Sequence, residues 1–165
     1  MTQSGDERAT LLFFLQRHRE TFRRKCAGLS AEQLDTPHPP ASMTLGGMIK
    51  HLAYVENWWS VGVLLGQEPG EPWASVDWRA DADWDWHSAK DDSPEQLWAL
   101  YDAEVAAGDR VYAAARLDDL AVRTHHHAAA GRANLRWILV HLVEEYARHN
   151  GHADLIRESI DGQVG

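Results

Sequence analysis

An all-α bundle is the fold this sequence predicts, and a few observations predict it. Four long stretches carry apolar residues on one face at the helical period, and capping residues or Pro/Gly breakers separate them. No segment alternates with the period of two that a half-buried strand needs. With no internal repeat and no pattern of a second domain, residues 1–165 are expected to form one domain, and 44% hydrophobic residues suffice for a real core.

The first helix is expected over residues 7–29, where Leu11, Leu15, His18, Phe22 and Leu29 recur at helical spacing and Arg17, Arg19, Glu20, Arg23 and Arg24 fill the other side. His18 on the apolar face reads as a core histidine with a satisfied hydrogen bond rather than a ligand. Ser30 and Gln33 have the spacing of a capping box for a short helical turn, and Pro37, Pro39 and Pro40 then break the chain.

The second helix opens near Ser42 to Thr44 and runs to about Leu65, stopped by Gly66 and the Pro69, Gly70 pair. Its inward stripe contains Met48, His51, Val55, Trp58 and Gly62. A long Trp-rich connection follows over residues 68–92, holding Trp73, Trp78, Trp84 and Trp86. It has two readings: a roof over a pocket, or a crossover pinned to the bundle by its aromatic rings. Asp81, Asp83 and Asp85 alternate like the start of a calcium loop, but Trp86 stands where that loop needs glycine and Asp92 where it needs glutamate.

Ser93, Pro94 and Gln96 supply the cap, the first-turn proline and the reciprocal side chain of the third helix, which buries Leu97, Tyr101, Glu104, Val105, Val111 and Tyr112 and ends near Arg116. Glu104 is either a partner of a metal-bound histidine or a solvated edge charge, the latter being the default. His125, His126 and His127 sit in a polar connection and read as a solvated loop. Asn134 can cap the fourth helix, which covers residues 137–161.

That last helix carries the chemistry. Ile138, Leu142, Ile156 and Ile160 share a stripe with Glu145, His149 and His152. A buried carboxylate and two imidazoles are unfavourable by several kcal/mol, of order 2–7 each, unless they are paired or ligated. Glu145 and His149, at i and i+4, can reach one ion, and His51 on the second helix supplies a third donor. Three protein ligands and one open position is the layout of a catalytic zinc site.

Composition excludes several classes. A formal net charge of −9 opposes nucleic-acid binding. No apolar run is long enough for a membrane span, and the N-terminus lacks a signal-peptide pattern, so a cytoplasmic location is expected. Cys26 is the sole cysteine, which excludes an internal disulfide and a cysteine-based zinc site; it reads as a buried small hydrophobe.

Two stretches, TLGGMIKHLAYVENWW (residues 44–59) and HLVEEYARHNGHADLIRESIDG (residues 141–162), resemble the DinB-like superfamily of four-helix-bundle metalloproteins. With the first and third helices in matching order, the resemblance covers nearly the whole chain. That family places one metal-binding histidine on the second helix and an i, i+4 pair on the fourth. The first of the pair is often histidine; Glu145 departs from this and is similar to the arrangement in the mycothiol-dependent maleylpyruvate isomerase branch. The resemblance implies His51, Glu145 and His149 as ligands, with His152 where many relatives have glutamine.

It also implies a function. The expected one is a divalent-metal-dependent enzyme, a mycothiol- or bacillithiol-type S-transferase or isomerase, in which zinc (or nickel, iron or manganese) at His51, Glu145 and His149 keeps a low-molecular-weight thiol as thiolate for attack on a small electrophile. Metal-assisted hydrolysis would use the same ligands. His152 is the candidate catalytic residue, as a proton shuttle, or else a fourth ligand that closes the site. The alternative is a non-catalytic metal-binding bundle, a homodimeric stress or interaction protein.

Overall fold

A computed structural model describes residues 4–124 and 131–164. The described chain holds α1 (Glu7–Cys26), α2 (Ala31–Leu34), α3 (Leu45–Asn57), a π-helical segment (Trp58–Leu64), α4 (Trp84–His87) between short 3₁₀ turns, α5 (Pro94–Ala114) and α6 (Leu135–Asp161). The four long helices form the expected bundle, and no strand occurs among the described residues. The histidines at 125–127 lie outside the described residues. No described helix is long and apolar enough to cross a membrane.

The helix starts follow from their caps. Asp6 accepts from Ala9 N at 2.7 Å, Thr44 from Gly47 N at 3.0 Å and Asn134 from Trp137 N at 2.9 Å. Ser30 and Ser93 form full capping boxes with Gln33 and Gln96. Gly162 ends α6 with φ of 75°, a left-handed conformation that glycine adopts without a Cβ penalty.

α1 lies along α6, and α3 packs between α5 and α6. Their shared core includes Leu15, Phe22, Met48, Leu52, Leu97, Tyr101, Ile138, Leu142, Tyr146 and Ile156. Cys26 is buried as expected, and burial pushes its thiol pKa up, so it is an apolar filler rather than a nucleophile.

The second helix changes pitch at Trp58. Ser60 Oγ donates to the Glu56 carbonyl at 2.6 Å, competing with the backbone for that acceptor, and Leu65 N reaches back to Ser60 O at 3.2 Å, an i→i−5 bond. The wider turn shifts the phase of the inward stripe: Trp59 is buried with Gly62 and Val63, whereas Trp58, expected inside, is half-buried.

A charge on the expected polar face of the first helix is internal instead. Arg19 is only 5% exposed, because its guanidinium grips the fully buried Glu56 through two bonds of 2.7 and 2.8 Å. Tyr146 donates to the same carboxylate at 2.8 Å and pairs with the Tyr101 hydroxyl at 2.9 Å. Glu104 is buried too, accepting from Asn57 Nδ2 at 2.9 Å and Trp73 Nε1 at 2.7 Å; it is neither a solvated edge charge nor a partner of a histidine.

That bond explains the crossover. Trp73 plugs into the bundle through Glu104, Trp78 stacks on Tyr54 at 4.5 Å, and the Lys50 ammonium sits 4.4 Å over the Trp84 ring. The aromatic residues pin the connection, as one of its two readings held, and the pinning delivers Asp85 and Trp86 to a fixed place on α3.

Candidate metal centre

At 100° per residue, the centre of the buried face of α6 runs through Leu135, Leu142, Tyr146 and Ala153, and Glu145 and His152 fall roughly 60–100° to one side of it. His149 falls between. The polar residues therefore occupy the seam with α3, at the edge of the core rather than its middle: side-chain exposure is 7% for His149, 14% for Glu145 and 20% for His51. His152 is half-buried beside them.

Across that seam, one ligand atom each from His51, Glu145 and His149 lies within 4.8 Å of the others. The three residues read from the sequence are thus brought together by the fold. His149 Nε2 is 3.5 Å from Glu145 Oε2. The His152 ring centroid is 5.6 Å from that of His149, but His152 does not join the group of three. His18 lies elsewhere and is half-buried rather than in the core; Asn150 Nδ2 donates to its backbone carbonyl at 3.1 Å and lies 3.4 Å from its Nδ1.

Electrostatics match a ligand set. Burial lowers the pKa of His149 and outweighs the opposing influence of Glu145, so the neutral, lone-pair-bearing imidazole is favoured. Contact with His149, the largest influence on Glu145, lowers the carboxyl pKa against the effect of its burial and keeps it ionised. The Nδ1 atoms of His149 and His152 are buried without a hydrogen-bond partner, which marks a polar cluster left incomplete by protein atoms alone. A carboxylate and two imidazoles converging in this way fit a divalent cation.

Sequence reasoning missed two neighbours. Asp85 on α4 is buried, and its Oδ2 lies 2.7 Å from His51 Nδ1. A carboxylate can only accept, so Nδ1 carries the proton and Nε2 is the ring's available lone pair. Trp86 stacks on the other side of this arrangement, its ring 4.5 Å from His51 at 26°. α3 admits it because residue 47 is glycine, where a Cβ would meet the Trp86 carbonyl oxygen at 3.2 Å. No spacing rule links residues 34 positions apart across a crossover. His141 is the second omission: its Nε2 is 3.6 Å from Glu145 Oε1, and its ring stacks on Trp137 at 10°. The i, i+4, i+8 run of His141, Glu145 and His149 was available as a signal.

Comparison with known proteins places the chain in a family. No curated protein matches the chain. Among solved structures, a conserved protein from Enterococcus faecalis is similar to it, with a TM-score of 0.71 at 18% identity, covering 97% of this chain and 100% of its own; that likeness shows a shared fold. The family model described as mycothiol S-transferase matches residues 10–162, which takes in α3, α5 and α6 whole, nearly all of α1 and every residue of the seam. The chain belongs to the mycothiol S-transferase family.

Proposed function

We propose that the chain is a divalent-metal-dependent thiol S-transferase of the mycothiol kind, with His51, Glu145 and His149 as the protein ligands and zinc as the metal. The approach of one carboxylate and two imidazole donors to within 4.8 Å of one another carries this reading. The family match supports the choice of thiol. Nickel, iron and manganese accept the same donors. A divalent cation held there lowers the pKa of a cosubstrate thiol so that the nucleophilic thiolate predominates near neutral pH.

The remaining roles belong to the chain. Asp85 fixes the ring of His51 and its tautomer. Glu145 contributes the negative charge that favours a cation at the seam. Because His152 stands outside the group of three, a position is left for an exchangeable ligand, and His152 beside it holds the proton that the thiol gives up. The acceptor is a small electrophile.

Metal analysis after native purification, paired with turnover assays using mycothiol and bacillithiol, tests the reading. About one divalent ion per chain and thiol-dependent loss of electrophile are expected. A protein that is isolated without metal and takes none up on titration contradicts it.

A further inference from the structure

Four residues at helical spacing on α3, Gly47, Lys50, His51 and Tyr54, form the strip on which the crossover lies. Trp86 packs on Gly47, where a Cβ would meet its ring at 3.1 Å. The Lys50 ammonium sits over the Trp84 ring and reaches Asp92 Oδ2 at 2.5 Å, and Tyr54 carries the ring of Trp78. His51 stands in the middle of this strip. Asp85 takes its Nδ1 and Trp86 covers its ring, while Nε2 is left for the seam. The Trp86 ring also lies 5.6 Å from that of His149 on α6, so two of the three proposed ligands pack against the crossover.

Contacts of this kind couple in both directions. A cation on Nε2 draws electron density from the imidazole and makes Nδ1–H a stronger donor to Asp85, and that carboxylate in turn makes Nε2 a better ligand. By reciprocity, whatever factor docking of the crossover adds to metal affinity, the metal adds to docking. The far end of the crossover is held by different groups. Trp73, 1% exposed, donates to Glu104 on α5, which is neither of the helices that carry the ligands. No helix lies between Ser75 and Trp84, so side-chain anchors rather than a run of backbone bonds keep this stretch on α3. A segment held in that way opens locally at a lower free energy than a bundle helix does.

We infer that the crossover of residues 68–92 is a metal-linked clasp: its docking on the α3 strip and occupancy of the seam by a divalent cation stabilise each other. Removing the ion loosens residues 81–92, and loosening the remote anchors at Trp73 and Trp78 weakens the hold on the ion. The inference rests on the metal centre proposed above and not on the thiol chemistry.

Zinc alone is the probe, on the full chain. Hydrogen exchange in residues 81–92 should be slower in zinc-loaded than in metal-free wild type, with no comparable change in α1. The Trp86 and His87 amides, which donate to Asp83 O at 2.9 and 3.0 Å, are the reporters. Competition against a chromophoric chelator should show zinc affinity reduced about fivefold or more in Trp73→Phe, which removes the indole donor, and in Trp78→Ala, which strips the ring from Tyr54. Neither side chain belongs to the metal centre. Trp78 is half-buried, so its variant keeps the fold and carries the test even where loss of the Glu104 partner unfolds the other. Wild-type affinity in each variant that folds, or zinc protection that is absent or spread evenly over the bundle, overturns the inference and leaves the metal centre standing. A wild-type chain that takes up no zinc refutes the metal centre and the clasp together, and does so in the titration, before any exchange is measured.

Discussion

His51 Nδ1 and Asp85 Oδ2 are 2.7 Å apart, joining the bundle's second long helix to a buried carboxylate on the crossover. This pair sets which His51 nitrogen faces the seam. Asp85→Ala should therefore weaken metal binding by roughly 10–100-fold while leaving all three proposed ligands in place. Asp85→Asn, whose amide oxygen can still accept from Nδ1, should fall between that variant and wild type. Competition titration against a chromophoric chelator measures both, and an unchanged affinity in Asp85→Ala would show that the contact does not serve the metal.

The histidines on α6 should separate by role. His149→Ala should lose most of its metal after purification, whereas His152→Ala should retain it and turn over more slowly. His87, exposed and paired with Asp81 at 2.9 Å, is the control, and His87→Ala should keep full metal content. Elemental analysis of the three variants decides; loss of metal from His152→Ala would make His152 a fourth ligand and favour a closed, structural site.

Much of this was legible in the sequence because helical periodicity is local. The caps at Ser30, Ser93 and Asn134 and the i, i+4 pair of Glu145 and His149 follow from residues within one turn of each other. What escaped depends on contacts between distant segments. Arg19 looks like one more cation on a basic face until Glu56 is brought against it, and Asp85 looks like part of an acidic run until Trp73 anchors the crossover. The π-helical turn was hidden for another reason: it arises from competition for the Glu56 carbonyl, a choice that hydrophobic spacing does not report.

Arg19 and Glu56 form a buried ion pair through two bonds, and each has a further partner, Asp109 for Arg19 and Tyr146 for Glu56. Removing one member leaves the other charge uncompensated, so Arg19→Ala should destabilise the fold by about 3–5 kcal/mol in urea unfolding. Asp109→Ala should have a much smaller effect, because that carboxylate is half exposed and water can replace it. Equal losses in the two variants would place the stabilisation at the surface.

Cys26 offers a check on where reactivity resides. Burial raises its thiol pKa, so the reactive thiolate is suppressed. In native protein it should resist alkylating and disulfide reagents, then react fully once the chain is unfolded. Cys26→Ala should keep thiol-transfer activity. Rapid labelling of the native protein, or loss of transfer in that variant, would put a protein thiol into the reaction.

A thiol cosubstrate is expected to enter the seam of His51, Glu145 and His149 alongside the metal. Absorption spectroscopy of the cobalt-substituted protein tests it most directly, because thiolate coordination produces an intense charge-transfer band that oxygen donors do not. Adding mycothiol to the cobalt form should produce that band saturably, and His149→Ala, unable to hold the cobalt, should not give it. A cobalt-loaded wild-type protein whose spectrum is unmoved by mycothiol or bacillithiol would contradict the account.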